Sequence, residues 1–544
     1  MLELRTARHG QATSRRPRPV APGRAVAVAP VVAALLAGAY LLAPPMGTDL
    51  SAQVARADFI ARHGIRPVDF SWYGGINQFG YSLYTALLGS VVDIRLVGAA
   101  SAVVSAGAFT WLLVRGHARR PLLGGVLGAA VLVGNLVSGR ITFAVGLTLG
   151  LLALCAAAAR RLPRWLRLSL AAALAALATW GSPVAGLFTG LAGGALLLAD
   201  LWSDRRRLRP PRAESLVLCL ATAAAVAPMT VLFGNGGVQP FTAESMRINV
   251  ALAVVVLVVA PVRVLRVGAA LTVLLLLGAY YLPSPIGSNA LRLPMLFALP
   301  VVAAFAPFSR RWLAGLLAAL VWWQSPVVVS DLTRMGSAPA HAAFYQPLVD
   351  ELRRRAPIGR VEVVPLRDHW ESAYVASVVP LARGWERQTD VDRNPLFYRS
   401  GLDAAEYGDW LRRNAVSYVA VAPDSPPDRY AREEAALVLA GQPYLREVWR
   451  DARWRLYAVV DPMPLVAAPA RLVRSTAAGV EFTVDAPAEV LVRVRWSRWL
   501  TLDGPGGCLT PGVDGWTTVR VEIPGDYLLT SSLRPGSRCA DQTP

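Results

Sequence analysis

Apolar residues run in long stretches from about residue 25 to residue 330 and then thin out. A membrane-crossing helix needs about 20 mostly apolar residues. Eleven stretches fit: about 25–43, 94–114, 121–138, 141–159, 168–181, 183–201, 215–233, 248–265, 267–283, 294–308 and 312–329. The pair 168–201 is split by Thr179-Trp180-Gly181-Ser182-Pro183, which reads as a tight turn or as a kink within buried helix. Beyond 330 the period changes. Val361–Val364, Val416–Val421 and Trp454–Val460 read as strands. Ala404–Asn414, with Tyr407 and Trp410 on one side, and Tyr430–Ala440 read as helices, so 331–464 is predicted as an α/β domain. From 465 to 544 apolar and polar residues alternate in Val480–Val484, Val490–Trp496, Trp516–Ile523 and Tyr527–Thr530. Turns at Asp503-Gly504-Pro505-Gly506-Gly507 and Pro524-Gly525-Asp526 separate them, a pattern that predicts a β-sandwich.

Composition sharpens this division. The chain has 544 residues, 54% hydrophobic and 17% charged, against about 25% charged in a soluble domain. Its net charge of +19 is unevenly spread: residues 1–330 carry 29 Arg against 9 acids, and residues 331–544 carry 26 Arg against 27 acids. The excess sits between apolar segments, where it reads as membrane topology rather than nucleic-acid binding. Arg5, Arg8, Arg15, Arg16, Arg18 and Arg24, with the clusters at 115–120, 160–167, 205–212, 263–266 and 310–311, fall on alternate sides of the eleven spans. Residues 1–24 are therefore predicted as a cytoplasmic basic tail, and 331–544 as extracytoplasmic. The expected fold is a polytopic α-helical membrane protein in the plasma membrane. It has about 11 transmembrane helices, followed by an extracytoplasmic α/β plus β-sandwich C-terminal domain. The first span has the look of a signal peptide, but Pro44-Pro45-Met46 is a poor cleavage site and the span is expected to be retained. Every basic residue other than five His is Arg, as in a high-G+C coding sequence of the actinobacterial kind. Cys155 and Cys219 lie within spans; Cys508 and Cys539 lie in the outer domain, where a disulfide between them is expected.

Five acids within 25–330 face outward in this topology: Asp49, Asp58, Asp69, Asp93 and Glu244. Asp49 follows the first span directly and opens a long loop, 44–80, with a helix predicted at 51–63. The aromatic and Gly-rich segment Phe70–Tyr81 then fits a ledge at the membrane interface. Arg140, Arg247 and Arg292 all fall at outer ends of spans, on the side of Asp49. A carboxylate can take a hydroxyl proton, and cations can hold a lipid phosphate. Each residue also has a plainer role. Asp49 is a good helix N-cap, and the Arg side chains are good interfacial anchors. Trp72 and Tyr73 suit either an interface belt or a sugar platform. Arg367-Asp368-His369-Trp370-Glu371 and Arg383-Gly384-Trp385-Glu386-Arg387-Gln388 suit acceptor binding, a cover over the loop or a salt-bridged surface, with His369 and Glu371 as candidate contacts. No GxSxG, HExxH, P-loop or Cys/His cluster is present, and Gly234-Asn235-Gly236-Gly237 does not follow a strand. Serine hydrolase, zinc protease, ATPase and DNA-binding readings have no support.

The cytoplasmic N-terminus, the acid right after span one and the outer C-terminal domain resemble the GT-C superfamily, multi-pass glycosyltransferases that use polyprenyl-phosphate sugars. Gly47–Leu88 also resembles the 6-pyruvoyl-tetrahydropterin-synthase-related membrane proteins and YfhO-like proteins. Further matches are Ser138-Gly139-Arg140-Ile141-Thr142-Phe143, Ser288-Asn289-Ala290-Leu291-Arg292-Leu293-Pro294 and Asn394-Pro395-Leu396-Phe397-Tyr398. The resemblance covers most of the chain through loose motifs, and it implies a superfamily rather than a substrate. It implies transfer of a sugar from a polyprenyl-phosphate donor to an envelope glycan or lipid acceptor at the outer face. Asp49 would be the base, with Arg140, Arg292 and Arg247 near the carrier phosphate. Many members carry paired acids in this loop and some bind a divalent metal there. Here Asp49 has no adjacent acid and Asp58 is nine residues on, a departure that bears on both metal and catalysis. Two rivals stand beside this reading: a transporter or lipid flippase, and a non-catalytic scaffold of the same fold. The hydropathy shows no inverted repeat and no acid in mid-span, which disfavours the transporter.

Overall fold

Helices stand at all eleven apolar stretches of the computed structural model, which describes residues 22–203, 213–323, 327–534, 536, 538 and 539. The basic tail up to residue 21 and the Arg cluster at 205–212 lie outside the described residues. Seven helical segments among them are long and apolar enough to cross a membrane: Gly23–Leu42, Ile94–Arg115, Ile141–Ala158, Pro183–Leu201, Ala213–Phe233, Arg263–Tyr281 and Gly287–Phe305. The chain is a multi-pass membrane protein. Pro121–Val137, Ala243–Val259 and Arg310–Trp323 are shorter, and Arg164–Gly181 carries two Arg in its first turn. The expected count of eleven crossings depends on these four. Ser182 is extended and divides 168–201 into two helices, Arg164–Gly181 and Pro183–Ser203. Pro183 opens the second, at a position where a missing N–H costs nothing. In the last stretch, 312–329, helix is described at Arg310–Trp323 and again at Val327–Leu332, and residues 324–326 lie outside the described residues.

Small residues set the helix spacing. A Cβ added at Gly124 would lie 2.6 Å from the Ala304 methyl, and one at Gly128 would lie 2.7 Å from the Phe109 ring. In a bundle without water, such close backbone approach supplies the packing energy that hydrophobic exclusion cannot.

The C-terminal part is built from sheets. Arg360–Val363 pairs parallel with Val416–Val421, which pairs antiparallel with Arg455–Val459, which pairs antiparallel with Leu445–Arg450. A second, four-stranded sheet has the order Leu500–Asp503, Gly525–Ser531, Gly479–Val484, Arg471–Thr476. A third has the order Gly507–Pro511, Trp516–Val521, Ala488–Arg495. The last two share one core that includes Val480, Phe482, Val492, Val519 and Leu529. Cys508 is disulfide-bonded to Cys539. Four strands escape the sequence pattern: Leu445–Arg450, Arg471–Thr476, Leu500–Asp503 and Gly507–Pro511. All four lie at sheet edges, where side chains have less core to face and alternation weakens.

Loop 44–80 is the joint between bundle and sheets, not a ledge on the membrane surface. Its helix, Leu50–His63, packs on the bundle, and its two short strands, Val68–Asp69 and Ile76–Asn77, pair with each other. Arg66 donates to Thr530 Oγ1 at 2.8 Å, and the Phe70 and Arg495 amides donate to Ala477 and Gly74 carbonyls across the junction. Trp72 is 1% exposed and Tyr73 3%. An interfacial aromatic belt would face lipid headgroups, so these two rings belong to a protein core instead.

Candidate active site

Two glycine turns bring the candidate residues together. Gly47, at φ +99°, and Gly139, at φ +75°, face each other where the first loop meets the turn between Pro121–Val137 and Ile141–Ala158. A Cβ at Gly47 would lie 2.6 Å from the Ser138 carbonyl carbon, and one at Gly139 would lie 2.7 Å from Leu50 Cα. The left-handed backbone is open to glycine alone at low cost, and only glycine fits the gap. The Asp49 amide donates to Ser138 O at 3.2 Å across this contact. Thr142 then donates from its hydroxyl to Gln53 Oε1, clamping the loop helix to the same turn.

Asp49 occupies the N-cap position of Leu50–His63, but its side chain makes no capping hydrogen bond. Its carboxylate points to two cations instead. Oδ2 lies 3.5 Å from Arg140 Nε and 3.8 Å from Arg292 Nη2. Arg292 opens the helix Arg292–Phe305 after the turn Gly287–Leu291, and its guanidinium lies over the Phe143 ring at 5.1 Å. Burial, and then the like charge of Arg292, hold the Arg140 guanidinium below its ordinary value; Asp49 and Asp331 act the other way. Arg140 Nε and Arg292 Nη1 are buried and form no hydrogen bond among the described residues. A buried charged donor left unsatisfied is expensive, and an oxyanion beside it removes that cost. The Asp49 side chain is 29% exposed, so the group opens to solvent.

Asp331 is the acid that sequence reasoning missed. It is 1% exposed, accepts from Ser138 Oγ at 2.8 Å and pairs with Arg334 at 2.5 Å, and Arg334 also reaches Asp368 at 3.3 Å. Burial raises its pKa above the usual carboxylate value, against the opposing pull of Ser138, Arg334 and Arg140. The available signal was its position, two residues beyond an apolar stretch, where an acid needs a cationic partner.

The remaining predicted residues lie elsewhere. Arg247 is exposed and makes no ion pair among the described residues. Trp72 donates from Nε1 to Ser372 O at 3.0 Å, and Tyr73 accepts at its hydroxyl from the Glu386 amide at 3.1 Å. Both are packed too deeply to offer a face to a sugar. His369 and Glu371 are also buried: His369 lies between Glu371 Oε1 at 3.4 Å and Asp428 Oδ2 at 3.5 Å. Burial alone would lower the His369 pKa, but the two carboxylates outweigh it and the net shift is upward. These residues are packed over the loop. His369 stacks on Trp385, at 3.5 Å between ring centroids, and Trp385 donates from Nε1 to the Thr48 carbonyl at 2.7 Å. Glu386 pairs with buried Arg56 of the loop helix. Behind them Arg383 is held by Asp390 at 2.7 Å and Glu434 at 2.9 Å, which fixes the strap 383–388. The Asn394–Tyr398 match belongs to this scaffold: Asn394 accepts from Trp410, and Tyr398 donates to Asp390. Among the described residues no group of three His, Cys, Asp or Glu is placed to hold a metal ion.

No protein-family model matches the chain, and neither does any curated protein. Solved membrane proteins are similar at a distance. The arabinofuranosyltransferase AftD from Mycobacteria is 16% identical, with a TM-score of 0.45, over 95% of this chain and 56% of its own. The chain thus spans little more than half the length of AftD. ArnT from Cupriavidus metallidurans in the apo state is 14% identical, with a TM-score of 0.44, over 80% of this chain and 97% of its own. The same ArnT bound to undecaprenyl phosphate is 15% identical, with a TM-score of 0.38. At this distance neither protein fixes the chemistry of the present one.

Proposed function

We propose that the chain is a membrane glycosyltransferase of the GT-C type, moving a sugar from a polyprenyl-phosphate donor to an envelope glycan or lipid acceptor on the outer face. The observation that carries this is the single carboxylate, Asp49, set 3.5 and 3.8 Å from two guanidiniums that keep unsatisfied donors. Asp49 takes the proton of the acceptor hydroxyl as its oxygen bonds to the anomeric carbon. The bond from that carbon to the carrier phosphate breaks on the opposite face, so the configuration inverts. Arg140 and Arg292 hold the phosphate as its negative charge grows. Asp331 positions the Ser138–Arg140 turn through Ser138 and does not touch substrate. No metal is required in this scheme. The orientation that places Asp49 and the sheets outside rests on the alternation of Arg clusters along eleven crossings.

The test is release and transfer of radiolabelled sugar from a panel of polyprenyl-phosphate donors by purified protein in lipid. Loss of a positioned general base typically costs about 10²–10⁴-fold, so Asp49→Asn should fall by that amount. Transfer that survives the substitution would move the base elsewhere. No transfer from any donor would favour the scaffold or transporter reading.

A further inference from the structure

Away from Asp49, a cavity of about 1180 Å³ opens among the helices of the bundle. Pockets that take drug-sized ligands measure roughly 300–1,000 Å³, so this one admits something larger. Its walls are apolar, with Leu147, Leu151, Leu196, Leu265 and Phe297 among them. Its charged residues gather at one end: Arg115, Arg160, Arg164, Arg167, Asp200 and Glu214. That end lies opposite Asp49. Ile141–Ala158 begins beside Arg140 and finishes two residues before Arg160. Eighteen helical residues span about 27 Å, too far for a phosphate held by Arg140 and Arg292 to reach this rim.

The rim is not electrically closed. Glu214 pairs with Arg167 at 2.8 Å, and Arg115 donates to the Ala158 carbonyl at 3.2 Å. Arg160 and Arg164 are exposed and have no side-chain partner among the described residues. An apolar chamber ending in free guanidiniums matches an amphiphile with apolar chains and an anionic head.

We propose that this cavity binds an anionic glycerophospholipid of the leaflet opposite Asp49, with its head phosphate on Arg160 and Arg164 and its chains between the helices. The site is separate from the donor site and does not depend on the proposed transfer. Leu293 and Pro294 line the same cavity beside Arg292, so the competing occupant is a carrier chain entering from the other end.

The test titrates the purified full chain in detergent with phosphatidylglycerol or phosphatidylcholine and counts retained lipid by native mass spectrometry. The wild type should retain phosphatidylglycerol and not phosphatidylcholine. Arg160→Ala with Arg164→Ala should weaken retention roughly thirtyfold, two cations at about 1 kcal/mol each beside an anionic lipid. Arg160→Lys with Arg164→Lys should restore it, and Arg292→Ala should leave it unchanged. Equal retention of the two lipids would overturn the proposal. So would full retention by the double Ala variant, or a loss that follows Arg292 instead.

Discussion

Gly139→Ala should disable the site by moving Asp49 rather than by removing it. The added methyl meets Leu50, whose Cα would be 2.7 Å away, whereas carbon atoms rest at about 3.5–4.0 Å. Relief requires a shift of about 0.8 Å or more between the turn that carries Arg140 and the start of the loop helix that follows Asp49. The ion pairs at 3.5 and 3.8 Å would stretch beyond 4 Å. A 1 Å misplacement of catalytic groups can cost about 100-fold in rate. Gly441→Ala is the control, because Gly441, just past the helix Arg432–Leu439, has a similar positive φ, +82° against +75°, and nothing within 4 Å of the added Cβ. Both variants bear the left-handed cost of about 1–2 kcal/mol, and only Gly139→Ala adds the clash. Thermal melts and sugar transfer, measured on both, separate the two effects. Gly139→Ala should melt lower than Gly441→Ala and transfer at least about tenfold more slowly. Equal melts and equal rates would refute the reasoning that this close approach sets the site.

Three further outcomes follow from named contacts. Trp385→Phe keeps the stack on His369 but removes the bond to the Thr48 carbonyl, worth about 1 kcal/mol net; transfer should slow severalfold while the melting temperature moves little, and an unchanged rate would remove Trp385 as a positioning residue. His369 faces Glu371, Asp428 and the Trp385 ring, and its folded pKa lies above the ordinary 6.5; the imidazolium therefore stabilises fully below about pH 6.5, and that stability is lost as pH rises through the folded value. Melts across this window should show a downward slope that His369→Gln flattens, and parallel profiles would contradict the pairing. Breaking the Cys508–Cys539 bond, with 31 residues of separation, should destabilise the sandwich by about 3–4 kcal/mol in the chain-entropy model; a melt insensitive to reductant, or to Cys508→Ser, would show that the bond contributes nothing.

Hydrophobic pattern was the strongest signal in the sequence, because a bilayer imposes a length on each apolar run. It located the helices to within a few residues, including the break at Ser182. It could not show that Asp49, Arg140 and Arg292 meet, since they come from three segments joined only by packing. Their shared end of the bundle was readable from Arg placement; the distances were not. The place of loop 44–80 is not legible in the sequence, for a physical reason. Trp72 and Tyr73 have the composition of an interfacial belt, and nothing local reveals that Gly384 would press a Cβ into the Trp72 ring. Asp331 went unnoticed because an isolated acid is weak evidence until its partners, Ser138 and Arg334, come from distant parts of the chain.

The division of labour at Asp49 is best tested by measuring polyprenyl-phosphate binding and sugar transfer on the same variants. Asp49→Asn should bind the lipid phosphate at least as well as wild type, because it frees two guanidiniums, yet transfer about 10²–10⁴-fold more slowly. Arg140→Ala with Arg292→Ala should lose binding itself, by about 1.5–3 kcal/mol for each charged hydrogen bond removed. An Asp49→Asn protein that transfers normally, or a double Arg variant that binds the phosphate as tightly as wild type, would contradict the central claim.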